Sequence, residues 1–138
     1  LIVHPMLLKL RSIKHGSPFV DDEDVPEELR STSAPPLTQK QIDNGSTDDF
    51  FHKRWEWVLD EMIWAFSQEL DDDAESQFHS GDFDHVWVQS ESDGKGIHRM
   101  EYGPNHTHEF DKDGWSKWYE RKSNGFRLFG KYYNGLWD

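Results

Sequence analysis

Phe51-His52-Lys53-Arg54-Trp55-Glu56-Trp57-Val58-Leu59-Asp60-Glu61-Met62-Ile63-Trp64-Ala65-Phe66-Ser67-Gln68-Glu69-Leu70 is the stretch on which the fold turns. Phe51, Trp55, Val58, Leu59, Met62, Ile63, Phe66 and Leu70 recur at steps of three and four, the spacing of one helix face. The pattern predicts a helix over 47–70, capped by Ser46 or Thr47, with Asp48 and Asp49 at the positive end of its dipole. Its other side is apolar as well, because Phe50, Trp57 and Trp64 fall together about half a turn from Trp55 at roughly 3.6 residues per turn. A helix apolar on two faces is normally sandwiched, which places this one at the centre.

Working outward, Ile2, Met6, Leu7, Leu10 and Ile13 predict a helix over 1–14, with Pro5 tolerable only near its start. A last helix is expected over about 113–136, with Trp115, Trp118, Tyr119, Phe126, Phe129, Tyr133, Leu136 and Trp137 on one stripe. Gly125 and Gly130 each weaken it by about 1 kcal/mol relative to Ala, so packing must hold it or it bends there. Residues 83–89 and 97–102 alternate like strands around the turn Ser92-Asp93-Gly94-Lys95-Gly96, and 106–110 suggests a third, giving an antiparallel meander. Residues 16–46 break into Asp21-Asp22-Glu23-Asp24, Ser31-Thr32-Ser33, Pro35-Pro36 and Asn44-Gly45. They are expected to form a long acidic, Pro/Ser-rich loop: a lid, a partner arm or a solvated connector. The fold class that follows is α+β, about three helices packed with a small antiparallel sheet in a single domain spanning 1–138.

Composition narrows function mainly by exclusion. The 27 acidic residues against 15 basic ones give a net charge of −12, which opposes the phosphate backbone and anionic lipid, so general nucleic-acid binding is disfavoured. There is no cysteine, hence no disulfide, thiolate metal site or cysteine nucleophile. The apolar run Leu1–Leu8 is broken by His4 and Pro5 and is far too short to span a bilayer. The chain does not begin with Met, which points to processing or to a longer parent chain. No glycine-rich phosphate loop, nucleophile elbow or His-Glu-x-x-His occurs, so enzymatic activity has no positive support and no cofactor is called for.

Four constellations are candidates for chemistry. In His106-Thr107-His108 the two histidines share a strand face and could offer two imidazoles to one cation, with a third ligand from His98 or His85. A His-x-His pair without a fixed third ligand is nevertheless more often an ordinary polar strand pair. Asp111-Lys112-Asp113-Gly114 opens like a calcium loop but lacks the sharp-turn Gly and the bidentate Glu, so Asp113 is better read as a helix cap. Asp60 and Glu61 beside Trp57 and Trp64 suggest an acid–base pair, yet adjacent helix positions diverge and solvated acids are the plainer account. Basic residues crowd the last helix, where Arg127 and Lys131 lie four apart. They could grip an anionic ligand together with Arg54, Trp57 and Tyr132, or pair with the acidic 21–28 segment.

Several stretches carry a resemblance: Lys14-His15-Gly16, Val20-Asp21-Asp22-Glu23-Asp24-Val25-Pro26-Glu27-Glu28-Leu29-Arg30-Ser31-Thr32, Arg54 to Phe66, and Asn124-Gly125-Phe126-Arg127-Leu128-Phe129-Gly130-Lys131-Tyr132-Tyr133-Asn134-Gly135-Leu136-Trp137-Asp138. Together they resemble an uncharacterised family of small acidic proteins of tailed phages, notably marine bacteriophages. The resemblance implies a viral origin, a place in the cytoplasm of an infected bacterium and residues preceding Leu1. It transfers no catalytic or binding residue. The expected role is a non-enzymatic accessory protein that binds a host or viral protein. A binder or hydrolase of a small anionic ligand, and an acidic mimic of DNA, are the alternatives.

Overall fold

The computed structural model describes residues 2–89 and 96–137, and the expected turn at Ser92–Gly96 lies mostly outside them. Among the described residues there are four α-helices: α1 (Val3–Ile13), α2 (Gln39–Asp43), α3 (Phe51–Leu70) and α4 (Lys112–Lys131). Four short strands accompany them: β1 (His79–Ser80), β2 (His85–Gln89), β3 (His98–Tyr102) and β4 (Glu109–Phe110). The protein is thus α+β. Its chain gathers into two compact units, one made of the residues up to Asp71 with those from Tyr119 onward, the other of Asp72–Trp118.

In the first unit α3 is the central element, as its doubly apolar pattern predicts. Trp55, Val58, Leu59 and Met62 are almost wholly excluded from water, together with Leu7 of α1, Val20 and Val25 of the connecting segment, and Leu128 and Tyr132 of the C-terminal part. Packing of α1 on α3 is edged by ion pairs: Arg11 Nε donates to Asp60 at 2.9 Å, and Lys14 Nζ lies 3.0 Å from Glu56. Pro5 falls in the first turn of α1, where its missing N–H deprives no carbonyl of a helical partner. α3 starts later than its capping residues suggest. Asp48 accepts from the Phe50 N–H at 2.9 Å, and Phe51 opens the helix.

The face that α4 buries matches the expected stripe only in part: Trp118 is buried and Phe129 and Leu136 pack on the core. Leu128 and Tyr132 point into the core, whereas Tyr119, Tyr133 and Trp137 are exposed, Trp137 to 73%. The cause lies at Gly125, where a Cβ would stand 2.8 Å from the Glu61 carbonyl and would collide with the Ala65 methyl. The two helices approach so closely here that the face centred on Gly125, Leu128 and Tyr132 turns inward, with Phe126 and Phe129 half-buried beside it against Phe66. The helix runs unbroken through both Gly125 and Gly130. It begins one residue before the expected span, capped by Asp111, whose Oδ1 accepts the Gly114 N–H at 2.9 Å, rather than by Asp113.

The 16–46 segment carries local structure of its own. It forms three 3₁₀ turns and the short α2, which opens with a Thr38/Gln41 capping box. Val20, Asp24 and Val25 are buried within the core of the first unit.

In the second unit β2 and β3 pair antiparallel, Trp87 opposite Met100 and His85 opposite Tyr102. The expected third rung does not join them. β4 pairs with β1 instead, His79 opposite Phe110, so the strands make two two-stranded sheets rather than one meander. Gly103 and Pro104 begin a turn after β3 that leads the chain away from the hairpin. Thr107 N–H then donates to Asp82 O at 3.0 Å, and Asp111 N–H donates to Phe78 O at 2.8 Å, which seats β4 beside the start of the unit.

Candidate functional site

Burying Asp24 in an acidic stretch requires compensation, and α4 together with the residue after it supplies it. Arg127 donates to Asp24 Oδ1 at 2.6 Å, while Lys131 and the Tyr132 hydroxyl each reach Oδ2 at 2.6 Å. Tyr132 in turn accepts the Asp21 N–H at 3.0 Å. Burial by itself would raise the Asp24 carboxyl. The hydrogen bonds from Lys131, Tyr132 and Arg127 outweigh that and hold it below the usual carboxylate range. Burial, then the bond to Asp24, push the Tyr132 phenol up to about 12. Asp21, Glu23 and Asp24 are the one set of three carboxylates or imidazoles, among the described residues, close enough to share a metal ion. Their cation is the Lys131 ammonium, at 2.7, 3.3 and 2.6 Å from the three.

Of the five residues read as a possible anion grip, Arg127, Lys131 and Tyr132 therefore converge, but on the protein's own carboxylate. Arg54 is engaged elsewhere and almost fully buried, donating to both oxygens of Asp48 at 3.0 and 2.6 Å and to Leu29 O at 3.0 Å. It ties the Glu27–Leu29 turn to the start of α3. The cleft that Arg54 lines, with Phe19, Leu37, Thr47 and Phe51, has none of Trp57, Arg127, Lys131 or Tyr132 in its wall. Trp57 is half-buried against the core. Asp60 and Glu61 part as adjacent helix positions must: Asp60 pairs with Arg11, and Glu61 takes both Arg121 nitrogens at 3.0 and 2.7 Å. The Arg121 guanidinium lies 3.9 Å from the Trp64 ring centre. No acid–base dyad results.

These pairings set a pH dependence. Asp48 is lowered chiefly by the bond from Arg54, Glu56 by that from Lys14 and Asp22 by those from Ser31, alongside Asp24. A carboxylate with a depressed folded value stabilises above its unfolded value, near 4, and that stabilisation disappears as the pH falls through its folded value. Tyr132 has the opposite sense: its contribution is complete below about 10 and lost as the pH rises toward 12. Urea midpoints should accordingly fall below about pH 4.5 and again above about pH 10. Ultraviolet titration should show the Tyr132 phenol ionising only as the pH approaches about 12.

The second unit holds a different assembly. Imidazole and aromatic rings run in series: Phe110 packs on His79 at 4.9 Å between centroids, His79 stacks on His108 at 5.1 Å, and His108 stacks on Phe83 at 3.8 Å. His106 stacks on Tyr102 at 4.0 Å, and its Nδ1 accepts the Asp84 N–H at 3.3 Å. His79 Nδ1 and His108 Nε2 are 2.9 Å apart, a hydrogen bond that needs a proton on only one of them. Lost hydration, then the neighbouring His79 and His106, hold His108 below the ordinary histidine value. His106 and His108 do come near each other, with centroids 6.1 Å apart. His98 does not join them. It pairs with Gln89 at the far end of β3, four residues or about 13 Å from the Tyr102 that His106 touches. His79 is the partner that sequence reasoning missed, since a two-residue strand shows no alternation from which to infer its face.

Beyond this ring series, strands β2 and β3 are exposed at every residue, on both faces. The register places His85, Trp87, Tyr102 and Met100 on one face, with Trp87 and Tyr102 each 69% exposed. The other face carries Val86, Val88 and the Arg99–Glu101 pair at 3.2 Å. No helix among the described residues is long and apolar enough to cross a membrane. No family model matches the chain, nor does any curated protein or solved structure match it significantly.

Proposed function

We propose that the protein is a non-enzymatic binding protein whose partner is another protein, and that the Trp87/Met100 face of the β2–β3 hairpin is its contact surface. The observation that carries this reading is the cross-strand pair Trp87–Met100, flanked by His85–Tyr102, on a two-stranded sheet with no other strand beside it among the described residues. An isolated hairpin is marginal in water, and Trp, Tyr and Met are the side chains most enriched where proteins meet. Each strand also keeps one unpaired edge, which suits an extended peptide. The net charge of −12 favours a basic partner over nucleic acid. On the strength of the resemblance to small acidic proteins of tailed phages, the proposed setting is an infected bacterium and the proposed role an accessory to infection.

A small anionic ligand gains no comparable support, because Arg127 and Lys131 would have to leave Asp24 to hold it. The test is co-purification from infected cells. The wild-type chain should recover one stoichiometric protein. A Trp87→Ala/Met100→Ala variant should lose it while keeping its urea midpoint, since both side chains are exposed. Recovery of no stoichiometric partner, or undiminished recovery by the variant, overturns the reading.

A further inference from the structure

The three imidazoles of the ring series, His79, His106 and His108, are not equivalent. Only His79 and His108 direct ring nitrogens at each other, at 2.9 Å, and both rings are clamped from outside, His108 by Phe83 and His79 by Phe110. We propose that His79 Nδ1 and His108 Nε2 form a binding site for a first-row divalent transition metal of the Zn²⁺, Ni²⁺, Cu²⁺ class, the ion replacing the proton that joins the two rings.

The geometry is close to what such an ion needs. Two imidazole nitrogens at about 2.0–2.1 Å from a tetrahedral Zn²⁺ stand roughly 3.3 Å apart, so the nitrogens must part by about 0.4 Å and the rings swing within their planes until both lone pairs converge on the ion. His79 is exposed on a two-residue strand, which leaves room for that adjustment. Stacking fixes the ring planes before the ion arrives, as hydrogen-bonded neighbours do in established metal sites. The backbone is set for it too. Gly81, opposite His108 across the extended β1/β4 pairing, has a φ of +72°. A Cβ there would strike the Thr107 carbonyl and lie 3.1 Å from the His108 N, so the chains come this near only because the residue is glycine.

Imidazole selects this class of ion over Ca²⁺ and Mg²⁺, which prefer oxygen. His79 is exposed and also borders an open cleft of about 410 Å³ with Glu75, Phe110, Lys112 and Trp115, so water has access to its side of the pair and can complete the ion's coordination. The Asp21/Glu23/Asp24 group is no competitor, since the Lys131 ammonium lies within hydrogen-bonding reach of all three. The site stands independently of the protein-binding role.

The test is titration of the whole chain with ZnCl₂, followed by calorimetry and by imidazole ¹⁵N chemical shifts. Saturable one-to-one binding is expected, with the largest shifts at His79 Nδ1 and His108 Nε2. His79→Ala and His108→Ala should each weaken binding by at least about tenfold, since losing a ligand costs no less than losing one of its supports. His98→Ala should leave binding unchanged. The ¹⁵N readout uses the wild-type protein, so it decides the matter even if a variant misfolds. Absence of binding, shifts confined to other histidines, or loss of binding with His98→Ala would each overturn the proposal.

Discussion

Replacing Asp24 with alanine is expected to lower the stability of the protein by about 3 kcal/mol, seen as a large drop in its urea midpoint. The carboxylate is 2% exposed and receives three donors, Arg127, Lys131 and Tyr132, each at 2.6 Å. Breaking a buried ion pair by removing one partner typically costs about 3–5 kcal/mol, because the other charge is stranded. Here Arg127 and Lys131 remain 50% and 31% exposed and can recover some hydration, which sets the expectation at the lower end. The Tyr132 hydroxyl has no such recourse, lying beside Trp55 in the core. Glu23 supplies the contrast. It also approaches Lys131, at 3.3 Å, but is 80% exposed, so Glu23→Ala should cost less than about 0.5 kcal/mol. If the two substitutions prove equally mild, the 20–25 segment is not held by this network.

The two glycines of α4 should respond in opposite directions to the same substitution. Helix propensity alone favours Ala over Gly by about 1 kcal/mol at either position. At Gly130 nothing stands within 4 Å of the added methyl, so Gly130→Ala should raise stability by roughly 0.5–1 kcal/mol. At Gly125 the methyl meets Ala65 and the Glu61 carbonyl, and backbone cannot swing aside as a flexible side chain can. Overpacking of this kind costs typically 1–3 kcal/mol, so Gly125→Ala should lose about 2 kcal/mol despite its better propensity. Thermal or urea unfolding of both variants checks the pair. A stabilised Gly125→Ala protein would mean that α3 and α4 do not cross closely there.

These expectations also mark how far the residues could be read in advance. The periodicity of 51–70 is strong because bulky apolar residues occupy nearly every inward position, and a 20-residue helix repeats its signal often enough to be unmistakable. The hairpin strands are legible from their β-branched and aromatic residues alternating on either side of a turn, although neither face is buried. Strand β1 is not legible, since two residues carry no period, and nothing local shows that β4 pairs with it rather than with β3. The metal-like histidines show the same limit. His106 and His108 were visible as a pair, but the nearest ring nitrogen belongs to His79, 29 residues away, and nothing local announces it.

Local pattern by itself determined the α+β class, the central place of α3 and the acidic surface, because apolar spacing and charge are properties of neighbouring residues. Tertiary structure alone decided which face of α4 turns inward, that Arg127 and Lys131 serve Asp24, and which imidazoles meet. Each of those outcomes depends on two segments distant in the chain arriving at one place: Gly125 on Ala65, α4 on the 21–24 turn, and β1 on β4. Approach of that kind depends on how whole elements pack, and single-residue spacing does not encode it.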